Sequence, residues 1–163
     1  MRRQWLFISA IVCFGAIAAM AEGRPNFSGG WVMDKNRSFN NPPGLEQTLT
    51  VKQEGDTLTI ESKLVTAQGE RVVNESYTAN GKEEEIAPPP NAPPNSKGKR
   101  KTSWLPDGQR LIVDETVVDG NGKVLNQTVR KWTLSSDGKT LTIDYYIDNS
   151  RNSYEAKRIF TKT

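Results

Sequence analysis

Beyond residue 28, apolar and polar positions alternate with a period of two along most of the chain, and no stretch sustains the 3.6-residue period of a helix. Gln47 to Glu54 and Thr57 to Val65 show the alternation plainly. If Gly55-Asp56 forms a two-residue turn between them, Leu49, Val51, Leu58, Ile60 and Leu64 all fall on one face. Ten strand-like runs are expected, near 29–35, 47–54, 57–65, 71–78, 82–87, 99–105, 110–119, 123–134, 140–147 and 153–162. Most separators carry Gly, Asn or Asp, which tolerate the positive φ of hairpin turns; Asn80-Gly81, Asp107-Gly108 and Asp137-Gly138 are the clearest. Two connections read as long loops. One is Asn36 to Glu46, with Asn40-Asn41-Pro42-Pro43-Gly44; the other is Pro88 to Pro94, whose five prolines cannot donate ladder hydrogen bonds.

Runs joined by short turns are usually antiparallel neighbours, and an even number lets the last strand close on the first. The expected fold is therefore all-β, a single up-and-down antiparallel β-barrel of about ten strands, with a two-sheet sandwich as the competitor. Closure requires Lys82 to Ala87 to pair with Arg71 to Tyr77, although Glu83-Glu84-Glu85 is poor strand composition. Turns then alternate between rims. Gly55-Asp56, Asn80-Gly81, Asp107-Gly108 and Asp137-Gly138 share the bottom rim, and both long loops lie at the top.

Strand arithmetic about these turns sorts the side chains. It sets Arg100 opposite Glu115, Trp104 opposite Leu111, Arg130 opposite Tyr145, Trp132 opposite Ile143 and Leu134 opposite Leu141; carried to the last strand, it sets Leu141 opposite Arg158. Trp31, Trp104, Trp132 and Arg158, with Gly29 beside Trp31, would then plug the bottom. Above them Arg100, Glu115, Asn126, Thr128, Arg130, Tyr145 and Tyr154 face inward. Charges taken out of water need partners, water or a ligand, so these seven are the candidate ligand-binding residues. The alternative is a polar network satisfied by itself.

Composition bounds the rest. Met1 to Ala21 has two arginines, an apolar run from Trp5 to Met20 and an Ala19-Met20-Ala21 end, and it reads as a secretory signal peptide and not a stable membrane anchor. That leaves one domain, 22–163, in the periplasm or secreted. The leader holds two of the 22 Lys and Arg and none of the 19 Asp and Glu, so the remainder is 20 against 19 and gives no reason to expect a nucleic-acid partner. Cys13 lies in the leader and the chain has no His, which excludes disulfides, thiol nucleophiles, His-dependent triads and His or Cys metal sites from the mature domain. No cofactor and no metal are expected.

The Gly29-Gly30-Trp31 stretch on the first run and the inward Arg158 on the last resemble the two ends of lipocalins and related calycin-type barrels, where a first-strand Trp packs under a last-strand Arg. With ten runs in place of eight, the count is nearer that of fatty-acid-binding barrels, and the chain most resembles small secreted bacterial proteins of this type. The resemblance implies a barrel that binds a small amphipathic or apolar ligand, with Arg100 and Tyr145 toward an acidic or polar head. A second possibility is an envelope structural or protein-interaction module without a ligand, using the top loops or Lys97-Gly98-Lys99-Arg100-Lys101. Catalysis is not expected: Glu115 beside Arg100 stands alone in these pairings, and glycoside chemistry normally needs two carboxylates.

Overall fold

The computed structural model describes residues 23–163; the segment read as a signal peptide lies outside the described residues. The ten strands are β1 (Gly29–Met33), β2 (Glu46–Glu54), β3 (Thr57–Thr66), β4 (Gly69–Thr78), β5 (Glu83–Ile86), β6 (Lys97–Trp104), β7 (Arg110–Val118), β8 (Val124–Leu134), β9 (Thr140–Asn149) and β10 (Ser153–Lys162). They form one antiparallel sheet in the order β4-β3-β2-β1-β10-β9-β8-β7-β6-β5, curled into an up-and-down barrel in which the first and last strands, β1 and β10, pair with each other. The Pro-rich segment 88–94 is a loop between β5 and β6, as its missing amide donors require.

The register follows the alternation almost everywhere. Val51 faces Ile60, Leu49 faces Ser62, Arg100 faces Glu115, Trp104 faces Leu111, Arg130 faces Tyr145 and Trp132 faces Ile143. Two expectations are overturned. The stretch at Lys82 to Ala87 is extended, but its strand pairs only with β6, through Glu83 opposite Lys101 and Glu85 opposite Lys99, and not with β4. Asn80-Gly81 is therefore no hairpin turn: Ala79 N–H donates to Asp56 O in the β2–β3 turn and Gly81 N–H to Thr102 O on β6, so the connection bonds elsewhere and leaves a seam between β4 and β5. Where β5 does pair, Ile86 O would lie 2.7 Å from a Cβ at position 98, which is why a glycine stands there.

The second correction concerns Arg158. Strand β9 runs on to Asn149 and its turn is centred one residue later than the sequence implies, with Asp148 opposite Ser153. That moves every partner on β10 by two residues. Arg158 faces Ile143, and Phe160 takes its place opposite Leu141. The inward parity is kept, but a fully buried phenylalanine occupies the level expected of the arginine.

The apolar core fills the lower barrel. Phe27, just before β1, turns up into the bottom, stacks on Trp104 with centroids 5.9 Å apart and meets Trp132 edge-on at 5.7 Å, while Trp31 donates its indole N–H to Phe27 O at 2.9 Å. Leu49, Val51, Leu58, Ile60, Leu111, Val113, Leu141, Ile143 and Phe160 close around them. Large aromatics with edge and stacked geometry supply most of the burial in such a core and add about 0.5–1.5 kcal/mol per ring pair. Phe27 thus contacts all three tryptophans. The cation over the Trp31 ring is Lys162, with Nζ 5.3 Å from the centroid, not Arg158.

Candidate functional site

Above the aromatic floor the inward positions turn polar in two clusters. The first lies at the seam. Arg100 on β6 donates from Nε to Glu115 Oε1 at 2.6 Å and from Nη1 across the seam to Ser76 O at 2.9 Å. Arg130 on β8 places Nη2 2.6 Å from the same Glu115 oxygen, outside hydrogen-bond angles and so an ion-pair contact, and its Nη1 reaches Glu75 Oε1 at 3.2 Å. Arg100 Nη2 is 3.7 Å from Glu75 as well, and Glu84 on β5 lies 3.6 Å from Nη1. Both guanidinium groups stand over the Tyr77 ring, at 4.7 and 5.2 Å. Both arginines are thereby neutralised in place by Glu75 and Glu115, with the more exposed Glu84 as a third carboxylate at the edge, in a site where an unpaired charge would be costly.

Glu75 was not among the expected site residues, and it corrects the view that Glu115 stands alone. The signal was present: Val73, Glu75 and Tyr77 alternate inward on β4 opposite Ser62, Ile60 and Leu58. Burial pulls the Arg130 pKa down, but Tyr77, Glu75 and Glu115 around it outweigh this and raise it, so Arg130 is a fixed cation. Burial pushes the Tyr77 phenol well above its ordinary range.

The second cluster is on the opposite wall. Arg158 donates from Nε to Asn41 Oδ1 at 2.9 Å and from Nη1 to Gln47 Oε1 at 2.8 Å, with Tyr145 OH at 3.4 Å and the Tyr145 ring 4.6 Å below its Cζ. Gln47 is held by donating Nε2 to Ser62 Oγ at 2.6 Å. Every partner of Arg158 is neutral. Among the described residues no carboxylate lies within ion-pair distance of it, and Nη2 has no hydrogen-bond partner. Tyr145, beside Arg130 in the β8–β9 ladder, links the two clusters.

The remaining candidates lie higher. Asn126 donates to Thr128 Oγ1 at 3.2 Å, and Thr128 sits opposite Glu115. Asn126 and Val117 also line a hollow of about 610 Å³ at the top, between the Pro89–Pro93 loop, Leu125 and the Ser150-Arg151 turn. Tyr154 does not join them: it is 40% exposed at the rim, beside a separate hollow of about 430 Å³ shared with outward Gln127, Val129 and Tyr146. Half of the cations in the basic stretch Lys97 to Lys101 are occupied, with Lys99 paired to Glu83 at 2.7 Å and Arg100 turned inward, while Lys97 and Lys101 are exposed. No group of three or more Asp, Glu, His or Cys converges to hold a metal ion among the described residues.

These features define a calycin-like antiparallel barrel with a polar upper interior beneath long top loops. Apo lipid binding protein 8 of Caenorhabditis elegans has the same fold, with a TM-score of 0.58 at 16% identity over 84% of this chain and 95% of that one. Two further structures are similar: REP1-NXSQ fatty acid transporter (TM-score 0.52, 14% identity, 83% and 95% covered) and secretory abundant heat soluble protein 4 of Ramazzottius varieornatus (0.53, 14%, 86% and 96%). No protein-family model matches the sequence, and no curated protein matches it. At these identities the likeness concerns the fold.

Proposed function

We propose that this barrel is a periplasmic or secreted binding protein, without catalytic activity, for a small amphipathic molecule whose acidic head meets Arg158 and Tyr145. The observation that carries this reading is the charge state of the two clusters. Arg100, which the sequence favours for the head group, is already neutralised by Glu115 and Glu75, whereas Arg158 is a half-buried interior cation with only neutral partners. An ionised acceptor there would form a charge-assisted pair, stronger than the neutral hydrogen bonds now present. Two proteins of the same fold are named as a fatty acid transporter and a lipid binding protein, which supports a carrier role. The compartment rests on the leader-like Met1 to Ala21.

The self-neutralised seam cluster favours a second reading, a structural or protein-interaction module with no ligand. Native mass spectrometry of protein taken from the periplasm or medium of its own cell separates the two. A retained small acid, absent from Arg158→Gln, supports the carrier; a protein adduct, or no adduct together with no binding of added acids, supports the module.

A further inference from the structure

We infer that the polar belt across the middle of the barrel sets the size of the ligand: the site takes a compact anion, a carboxylate on a short chain or small ring, and excludes long-chain fatty acids. The inference rests on the binding reading above and narrows it.

The belt is a chain of neighbouring polar groups that is interrupted between β3 and β4, where Val73 stands opposite Ser62. Gln47 on β2 and Ser62 on β3 bond to each other, Gln47 to Arg158 on β10, and Arg158 to Tyr145 on β9; Tyr145 neighbours Arg130 on β8, which is paired with Glu115 on β7 and Glu75 on β4. Arg100 on β6 joins the chain at Glu115 and Glu75 and, through Ser76 O, ties the seam where β4 and β5 share no ladder. Eight of the ten strands contribute, so the belt walls off the lower barrel from above and blocks lateral access at its own level.

Below it the interior is occupied. Tyr77 lies under both guanidinium groups and packs edge-on against Trp132 at 6.2 Å, and Trp132 meets Phe27. Tyr77, Phe27, Leu58, Leu111, Val113, Leu141 and Phe160 are all fully buried. An acyl chain anchored by its head at Arg158 could descend only by displacing Arg130, 9% exposed, from its two carboxylates or Tyr77 from the aromatic stack. Uncompensated buried charge opposes the first and lost close packing the second. Upward, the chain meets half-buried Thr128 and Asn126 and then the top hollow, where Ala92, Val117 and Leu125 are interspersed with prolines, Asn91, Ser150 and Arg151 and form no continuous apolar wall.

The test is a chain-length series on the processed protein: benzoate, butyrate, octanoate, laurate and palmitate, each below its aggregation concentration, followed by calorimetry and by the NMR signal of Arg158 Nε–H. In an open apolar barrel each added methylene that leaves water tightens binding about fourfold. The belt predicts that compact acids bind, shift the Arg158 signal and weaken at least tenfold in Arg158→Gln, and that affinity stops rising by about octanoate. Affinity that climbs steadily to palmitate, still dependent on Arg158, overturns the size limit and leaves the carrier reading standing. No binding by any acid in the series overturns both.

Discussion

Arg130 and Glu75 sit on strands that never pair, β8 and β4, yet their side chains meet at 3.2 Å. This contact, with Arg100 reaching Ser76 O, does by side chains what a ladder does elsewhere in the barrel. Glu75→Ala should therefore destabilise the protein by about 3 kcal/mol, the low end for breaking a buried pair because Glu75 keeps some solvent contact. Replacing Arg130 and Glu75 together by Met and Leu should recover most of that loss, since no charge is left stranded. Urea denaturation of the two variants checks both, and equal midpoints for wild type and Glu75→Ala would show that the contact stabilises nothing.

Phe27 holds the bottom of the barrel through Trp104, Trp132 and the Trp31 indole N–H. Phe27→Ala is expected to cost about 3–5 kcal/mol, as for other large buried aromatics, and to alter tryptophan fluorescence. Lys162→Ala, which removes an exposed cation from the Trp31 face, should cost no more than about 1 kcal/mol. Arg158→Ala should leave the tryptophan spectrum unchanged, because Arg158 packs on Tyr145. A spectral shift in that variant would return Arg158 to the plug.

Much of this was legible in the sequence wherever a hairpin was closed by a tight turn. Asp107-Gly108 and Asp137-Gly138 pin their registers, and the placement of Arg100, Glu115, Arg130 and Tyr145 follows by counting. Arg158 slipped by two residues because the polar run Asp148 to Asn152 offers several turn centres, and only the side chains around Asn149 select one. The seam was hidden for a different reason. Asn-Gly is a strong local hairpin signal, but tertiary hydrogen bonds from Ala79 and Gly81 override it. Phe27 and Glu75 were both readable by parity yet unmarked by composition; what makes them central is the contact they make across the barrel.

The seam also predicts where the barrel opens first. Strand β5 is four residues long and paired on one side only, and one edge of β4 has no ladder partner. Local opening is easiest where backbone hydrogen bonds are few. In hydrogen exchange, amides of Glu83–Ile86 should lose protection well before the central amides of β9 and β10, and Arg100→Ala should speed exchange on β4 by removing the link to Ser76. Uniform protection around the barrel would mean the seam is closed in solution.

Tyr77 gives the alkaline limit. Its hydroxyl is buried without an aligned hydrogen-bond partner, and burial, against the pull of nearby Arg130, raises its pKa well above the ordinary value. The unfolded chain would lose this proton near pH 10 while the folded chain keeps it. The linked stability is therefore fully present below about pH 10 and is lost as pH rises above it toward the folded value. Tyr77→Phe removes the titration and, because the hydroxyl has no aligned hydrogen-bond partner, should cost little at neutral pH. Thermal melts of both proteins from pH 7 to pH 12 should coincide at the low end and diverge above about pH 10, with Tyr77→Phe the more stable. Parallel curves across the range would mean that Tyr77 ionises in the folded barrel as it does in the unfolded chain.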